Sequence, residues 1–171
     1  TITLRPEATA SVVRAYIQHK LYADKPVQKL YTIGPMFRRE RPQKGRYRQF
    51  HQINAEVFGV ASPYADAQLI FMLTTFLERL SITDTAIHIN SLGCRECRPS
   101  FKERLSSFFQ KRRADLCEDC RRRLERNPLR ILDCKVEGCR AAAAGAPVMT
   151  DFLCRACHEH FDTVPALLKD R

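Results

Sequence analysis

The sequence has no long apolar run and relatively few acidic residues. No stretch approaches the roughly 20 consecutive apolar residues that a membrane-spanning helix needs, and no signal-peptide pattern opens the chain. No amphipathic segment sets lysine and arginine beside a broad apolar face, as a helix on a membrane surface would. The 29 lysines and arginines outnumber the 19 acidic residues and give a formal net charge of +10. We therefore expect no membrane partner and favour polyanionic partners such as nucleotides or nucleic acid.

Cysteine is absent from the first 93 residues and abundant after them. The eight cysteines form four close pairs, three of them CxxC: Cys94 and Cys97, Cys117 and Cys120, Cys134 and Cys139, Cys154 and Cys157. Secreted disulfide scaffolds are usually shorter and denser in cysteine. A CxxC turn instead directs two thiolates at one ion, so the spacing predicts Zn²⁺ held by these eight residues. The shift in composition also predicts a domain boundary near Leu92, with domains at residues 1–92 and 93–171.

The sequence does not determine which cysteine pairs bind the same zinc ion. Sequence order suggests that the first two pairs share one ion and the last two pairs share another. Interleaved pairing, or one zinc with four unused cysteines, is also chemically possible. His158 and His160 lie beside Cys157, and either could replace a cysteine as ligand. A set of buried structural thiols is the competing interpretation, which four close pairs make less favoured.

Two apolar-rich runs, residues 30–37 and 49–58, flank a loop crowded with arginine, and this pattern predicts a β-hairpin. Arginine can donate two parallel hydrogen bonds to a phosphate, so the loop suits a polyanion, although a solvated basic loop is the plain alternative. Gln52 and Glu56 stand four residues apart in the second strand and therefore share one face. Polar residues between apolar ones there indicate a pocket.

Helical periodicity and one short alternation account for most of the remaining chain. Residues 64–80 are predicted to form a helix with Ser62 as its N-cap. Its expected buried stripe is Leu69, Leu73, Phe76, Leu77 and Leu80. Other helices are predicted over residues 8–22, from Pro99 through Phe109, over 116–126 and over 150–168, where Pro165 could break the last one. A strand is predicted over residues 86–90.

Four segments together carry a resemblance to a known family: TLRPEATASVVRA, RPQKGRYRQFHQ, INSLG and NPLRILDCK. They resemble the histidyl-tRNA synthetase family of class II aminoacyl-tRNA synthetases, with the hairpin as motif 2. The family's motif 1, motif 3, second histidine-recognition segment and anticodon-binding domain have no counterpart here, so we interpret the chain as an internal fragment. The implied fold is α+β: part of the antiparallel-sheet catalytic domain, followed by a small helical, cysteine-rich insertion domain.

The resemblance also implies an activity, which is the ATP-dependent ligation of L-histidine to tRNA(His) through histidyl-adenylate. The enzyme would be a cytoplasmic homodimer using ATP with Mg²⁺, and this fragment alone would be inactive. One alternative is a regulatory paralogue of histidine biosynthesis, but such paralogues tend to lose the motif 2 charges and the insertion, both present here. A second alternative is a zinc-dependent nucleic-acid-binding module, which makes no use of Glu7, Gln52 or Glu56.

The resemblance assigns the ATP site to three positions of this sequence. Arg38 matches the motif 2 arginine that holds the α-phosphate and the substrate carboxylate, and it is the expected catalytic residue. Glu40 matches the acidic residue near the adenine amino group, and Arg46 matches the arginine that reaches the outer phosphates. The types fit, since arginine stays charged and a carboxylate can accept from an exocyclic amine.

Histidine binding is assigned by the same resemblance to four positions. Glu7, Thr9 and Gln52 match contacts to the α-amino group, and Glu56 matches the residue that faces the imidazole. A carboxylate accepting from the imidazole N–H would separate histidine from apolar amino acids. Glu7 has a competing interpretation as a cap of the following helix. The family usually has glycine where this chain has Ala8, a change we expect to be tolerated.

Contact with tRNA is expected from a basic run beside the second cysteine pair. This run is Arg121, Arg122 and Arg123, and Arg126 and Arg130 follow it closely. In the family the insertion domain packs on the tRNA acceptor stem, and the contacts would go to phosphates. The competing interpretation is the solvated face of a helix.

Overall fold

The structure is a computed structural model, and it describes residues 3–39 and 43–169. The chain forms two compact units, Thr1–Phe76 and Leu77–Arg171. Helices and an antiparallel strand pair make up the regular structure, as expected for an α+β fold. Within the described ranges, no helix combines the length and apolar character needed to cross a bilayer. The predicted domains, residues 1–92 and 93–171, stay a prediction.

The first unit begins with a short segment and two helices, α1 (Thr9–Gln18) and α2 (Leu21–Asp24). The prediction of one helix over residues 8–22 was wrong, because Lys20 takes a left-handed conformation with φ 50°. A right-handed helix cannot continue through such a residue. The Gln28 side-chain amide donates to the Leu21 carbonyl oxygen at 2.9 Å and so ties α2 to the following strand.

The predicted hairpin is confirmed as strands β1 (Gln28–Phe37) and β2 (Gln49–Phe58), which pair antiparallel. The register opposes Gly34 to Gln52. Beyond the strands, Gln43 and Arg46 exchange backbone hydrogen bonds of 3.2 and 2.8 Å across a tight turn. Gly45 sits inside this turn at φ +76°, a conformation that glycine adopts without strain. The turn therefore holds the arginine-rich loop at one end of the ribbon.

The two faces of the hairpin differ in what covers them. One face carries Gln52, Glu56 and their neighbours and is partly buried, and there the Tyr16 ring of α1 stacks on Phe58 with centroids 4.3 Å apart. The other face leaves Tyr31 75% exposed and Ile33 65% exposed. Side chains alternate across a strand, so the buried face carries the even-numbered residues. The candidate pocket residues therefore lie on the covered side.

The segment before α1 runs along β1 and is fastened to it. Arg5 accepts a hydrogen bond from the Phe37 amide at its carbonyl oxygen (2.9 Å) and donates Nε–H to the Pro35 carbonyl oxygen (2.8 Å). A Cβ at Gly34 would lie 2.6 Å from an Arg5 guanidinium nitrogen, so a side chain there would displace the arginine. This close approach places Pro6 and Glu7 beside the ribbon.

Helix α3 (Pro63–Arg79) starts as predicted, because the Tyr64 amide donates to Ser62 Oγ at 3.3 Å. Its predicted buried stripe is wrong. Leu73 is 56% exposed, and Phe76 and Leu80 are also exposed, while Ala67 is the buried residue of this helix. Apolar periodicity marks a side suited to burial, but burial needs a packing element, and the described residues supply little packing there.

The strand predicted over residues 86–90 is also wrong. Residues 82–94 are all described and contain neither helix nor strand. Within the described part of the chain the sheet has two strands, β1 and β2, so residues 86–90 have no strand to pair with. A strand is stabilised by its ladder of hydrogen bonds, and alternating side chains alone do not create one.

The second unit contains the larger core. Its helices are α4 (Cys97–Gln110), α5 (Glu118–Arg126), α6 (Leu129–Leu132), α7 (Glu137–Ala143) and α8 (Arg155–Lys169), with 3₁₀ turns at Arg113–Asp115 and Met149–Phe152. Helix α4 buries Phe101, Leu105 and Phe109. Helix α8 continues through Pro165 without a break. Buried cysteines sit within the same core as these apolar side chains.

Candidate active site and cysteine clusters

Asn54 links two of the residues assigned to histidine. Its Nδ2 donates to Thr9 Oγ1 and to Glu56 Oε1, each at 3.0 Å. One amide therefore joins the start of α1 to strand β2 and directs the Glu56 carboxylate. Sequence reasoning missed Asn54, although its position midway between Gln52 and Glu56 puts all three on one face of the strand. That period of two was the available signal.

Two polar atoms on this face are buried and lack a hydrogen-bond partner among the described residues. They are Gln52 Oε1 and Thr32 Oγ1. Thr32 pairs with Asn54 in the ladder, and Gln52 is two residues away on the same face. A buried polar atom left unpaired costs about 1–3 kcal/mol, so these oxygens are suited to a ligand that brings hydrogen-bond donors. An ammonium group brings three.

Glu7 acts in the structure as a cap of α1. Both of its carboxylate oxygens accept from the Ala10 amide, at 3.1 and 3.2 Å. This contact agrees with the competing interpretation of Glu7 as a helix cap. It also holds the carboxylate near Thr9 at the start of the helix. Ala8 has φ −103° and ψ −31°, a conformation open to any residue. The alanine therefore needs no remodelled backbone at this position.

Arg38 lies just past the end of β1 and is oriented by three contacts. Its Nε–H donates to the Pro6 carbonyl oxygen at 3.0 Å, and its guanidinium carbon is 4.9 Å from the centre of the Phe50 ring. Its amide donates to the Arg48 carbonyl oxygen at 2.9 Å. The cleft at this end of the ribbon is lined by Leu4, Phe37, Arg38, Arg39, Arg48 and Gln49. Three guanidinium groups around one cleft suit a phosphate-bearing ligand.

The other two residues assigned to ATP are only partly covered by the structure. Arg46 sits in the tight turn opposite Gln43, so its backbone is fixed at the tip of the loop. Glu40 lies outside the described residues. The assignment of these two residues to the outer phosphates and the adenine therefore stays a prediction.

The eight cysteines gather into two groups of four. The outer cluster is Cys94, Cys97, Cys154 and Cys157, and the inner cluster is Cys117, Cys120, Cys134 and Cys139. Within each cluster the four Sγ atoms lie within 4.8 Å of one another. The pairing suggested by sequence order is wrong, since the first pair meets the last and the two middle pairs meet each other. Folding of α8 back towards the start of α4 accounts for this arrangement. Both groups consist of cysteine alone, without His158 or His160.

Backbone amides and burial give the thiols of each cluster different acidities. A hydrogen bond from the Cys154 amide to Sγ at 3.1 Å is the main cause that lowers the pKa of Cys97 to about 6. The backbone of Cys120 lowers the pKa of Cys117 to about 7. Burial raises the pKa of Cys120 and of Cys139. Backbone amides therefore favour the thiolate form of one cysteine in each cluster, whereas a bound cation would have to displace the protons of Cys120 and Cys139.

In the outer cluster the fourth thiol resists ionisation. Its hydrogen bond with Cys154 is the main cause that raises the pKa of Cys157 to about 12. A thiol that donates a hydrogen bond is stabilised in its neutral form, which is why this contact opposes ionisation.

The three arginines assigned to tRNA all have partners within the protein. Arg121 donates to the Ala114 carbonyl oxygen at 3.1 Å. Arg122 forms ion pairs with Asp119 and with Glu118. A third set of contacts holds Arg123, whose guanidinium reaches the Arg130 carbonyl oxygen at 3.3 Å and Cys120 Sγ at 3.9 Å. The i,i+4 spacing of Glu118 and Arg122 was a sequence signal for one of these pairs.

Comparisons with known proteins agree on one family. The model of the tRNA synthetase class II core domain (G, H, P, S and T) matches residues 1–131. A histidine–tRNA ligase of Desulfosudis oleivorans is 73% identical over 99% of this chain, and one of Geobacter metallireducens is 61% identical over 94%. The crystal structure of apo S. aureus histidyl-tRNA synthetase superposes with a TM-score of 0.70 at 36% identity, covering 97% of this chain and 38% of that one. The chain spans about 40% of the length of the curated relatives it matches.

Proposed function

Since the chain belongs to the tRNA synthetase class II core family, we propose that it is part of a histidine–tRNA ligase. The intact protein would ligate L-histidine to tRNA(His) through histidyl-adenylate, using ATP with Mg²⁺. Relatives that carry this name match nearly the whole chain, which supports the proposal. Because the chain corresponds to about 40% of those relatives, the activity belongs to the intact gene product, and this chain alone would not complete the reaction.

Recognition of histidine is the step that the geometry supports best. The single observation that carries it is the polar face of the hairpin, where Asn54 donates to the Glu56 carboxylate and Gln52 Oε1, on the same face, is buried without a partner among the described residues. Glu56 would accept from the imidazole N–H, while Gln52, with Thr9 and Glu7, would surround the α-amino group. Acceptors that stay unpaired until the amino acid binds give selectivity, because a substrate lacking the matching donor leaves them buried and unsatisfied.

Phosphate handling falls to the arginines at the end of the ribbon. Attack of the histidine carboxylate on the α-phosphate of ATP builds negative charge at phosphorus, so the enzyme must position the reactants and stabilise that charge. Arg38 is held by the Pro6 carbonyl and the Phe50 ring, which supports a pre-organised role. Arg46 would reach the outer phosphates from the turn, and Glu40 would accept from the adenine amine.

The cysteines and the basic helix complete the proposal. All eight cysteines bind Zn²⁺, which gives residues 93–171 a metal-stabilised insertion domain next to a catalytic portion at residues 1–92. The two Sγ clusters support this part, since soft thiolates select zinc among the common structural metals. Arg121, Arg122 and Arg123 face the acceptor stem of tRNA(His). The intact enzyme is a cytoplasmic homodimer.

The test is histidine-dependent pyrophosphate exchange by the full-length protein. Removing one positioned charge donor from a transition state typically costs about 100-fold to 1,000-fold in rate, which is the expected loss for Arg38→Ala. Arg14→Ala, on the exposed side of α1, removes the same charge as a matched control and should leave exchange unchanged. Exchange at the wild-type rate in Arg38→Ala would remove the assigned role. A wild-type protein that binds tRNA without any exchange would favour the nucleic-acid-binding alternative.

A further inference from the structure

We propose that the cysteine clusters bind two separate zinc ions in nested sites, the outer one joining the start of α4 to the start of α8 and the inner one lying between them in sequence. The outer cluster joins Cys94 to Cys154, 60 residues later, whereas the inner cluster joins Cys117 to Cys139, 22 residues later. This inference rests on the proposed zinc binding, and it is independent of the proposed synthetase activity.

The sulfur geometry fits one tetrahedral ion in each cluster. Four thiolates at the usual Zn–S distance stand about 3.8 Å apart. In the outer cluster the Cys94 Sγ is 3.4 Å from Cys97 Sγ and 4.0 Å from Cys154 Sγ. In the inner cluster the Cys117 and Cys134 Sγ atoms are 4.0 Å apart. Each cluster supplies four cysteines, which is a complete ligand set for one zinc ion, so neither site needs a cysteine from the other.

The second cysteine of every pair lies in the first turn of a helix. Cys97 opens α4, and the third residues of α5, α7 and α8 are Cys120, Cys139 and Cys157. Backbone N–H groups in a first turn have no helical partner and favour negative charge. The Cys154 amide donates to Cys97 Sγ and the Cys117 amide donates to Cys139 Sγ, both at 3.1 Å. The two clusters are therefore built on the same local plan.

The clusters differ in burial, which gives the ions different accessibility. Cys120, Cys134 and Cys139 of the inner cluster are buried, and Cys117 is half-buried. In the outer cluster only Cys97 is buried, while the other three members are half-buried. A chelator or an alkylating reagent should therefore reach the outer ion first. Loss of that ion should release the start of α8 from the start of α4 while the inner site keeps its zinc.

The pairing is tested by replacing whole pairs with serine in the full-length protein and measuring zinc by elemental analysis. Nested sites predict that the variant lacking Cys94, Cys97, Cys154 and Cys157 loses one zinc per chain, because the inner site keeps four ligands. The variant lacking Cys94, Cys97, Cys117 and Cys120 should lose two, as should the one lacking Cys94, Cys97, Cys134 and Cys139. Loss of one zinc in either of these last two variants would overturn the nested assignment.

A second measurement on the unaltered protein covers the case in which these variants fail to fold. Zinc is withdrawn stepwise from the reduced full-length protein, the freed thiols are alkylated, and the labelled positions are mapped by mass spectrometry. The expected first set is the outer cluster, labelled together as one zinc leaves. Labels that mix the two clusters from the start would contradict the proposal. So would a zinc content near zero, or iron in place of zinc, in protein purified under reducing conditions.

Discussion

The hairpin unit and the cysteine-rich unit bury their apolar side chains to very different extents. Among the described residues, the first unit has four buried hydrophobic residues: Ala8, Val12, Met36 and Ala67. The second unit has thirteen, and four of them are cysteines. A two-stranded hairpin is marginally stable by itself, whereas a helical core reinforced by metal can hold its own fold. The second unit therefore owes its order to internal packing to a greater degree than the first.

This contrast separates two ways of placing reactive groups. The cysteines are fixed by the core, since Cys120 and Cys139 are completely buried among its apolar residues. The hairpin instead fixes its polar groups through hydrogen bonds along one face, with Asn54 as the central donor. Its opposite face leaves Tyr31 and Ile33 mostly exposed. Loss of bound metal should consequently unfold the cysteine-rich unit and leave the hairpin folded.

Complete removal of zinc from the full-length protein should give the largest effect. Structural zinc contributes on the order of 10 kcal/mol to the folding of small zinc domains, so its loss should unfold the region that the two clusters hold together. Helices α4 to α8 should lose their protection in hydrogen exchange monitored by mass spectrometry, while β1 and β2 keep theirs. Restoring zinc under reducing conditions is the control and should return protection. Equal loss of hydrogen-exchange protection in the helices and in the hairpin, or loss in neither, would contradict the proposed difference between the two units.

What the sequence could predict follows the same division. The CxxC spacing is local, so it correctly indicated cysteines that meet in groups, but their pairing depends on how α8 folds back and could not be read from order. The two apolar runs at residues 30–37 and 49–58 and the loop between them are close in sequence too, and the hairpin was predicted from them. Periodicity failed for Leu73 and for residues 86–90, because it reports suitability for burial or pairing and not the presence of a partner. Asn54 was missed because its partner Thr9 lies 45 residues away.

Glu56→Gln should give the next largest effect, and it tests the hairpin alone. A hydrogen bond to a charged group contributes about 1.5–3 kcal/mol, so kcat/KM for histidine should fall about 10-fold to 100-fold. The KM for ATP should stay the same, because Glu56 is assigned to the imidazole. Pyrophosphate exchange at varied histidine and ATP concentrations measures both. His51→Gln, on the opposite and exposed face of β2, is the matched control. An equal effect on both substrates would remove the assignment of Glu56.

Substitutions at Asn54 sharpen the contrast further, because this residue acts only through its neighbours. Asn54→Ala removes the donor to Glu56 Oε1 and Thr9 Oγ1 and should raise the KM for histidine about 5-fold to 15-fold, the equivalent of one ordinary hydrogen bond. Asn54→Asp should be worse, because a second carboxylate would repel Glu56 where the amide now donates. The same exchange assay ranks the variants. Asn54→Asp with a wild-type KM would exclude a positioning role.

The smallest effect is expected on the basic helix α5, where partners within the protein should decide which arginine serves tRNA. Both Arg122 and Arg126 are exposed, but Arg122 is already paired with Asp119 and Glu118, whereas Arg126 has no ion pair among the described residues. Arg126→Gln should weaken tRNA binding about 2-fold to 5-fold and reduce the slope of log affinity against log salt by about one. Arg122→Gln, which removes the same charge, should change both quantities less, because its phosphate contact would have to compete with two carboxylates.

Fluorescence titration of the full-length protein with tRNA at several salt concentrations measures these quantities. Zinc content should be unchanged in both variants, since neither arginine contacts a cysteine, and this serves as the control for folding. Arg123 is unsuitable for the comparison because its guanidinium reaches Cys120 Sγ. A larger loss for Arg122→Gln than for Arg126→Gln would mean that tRNA displaces the acidic partners of Arg122. The ion pairs of Arg122 would then cover a tRNA-binding residue in the free protein without preventing it from binding tRNA.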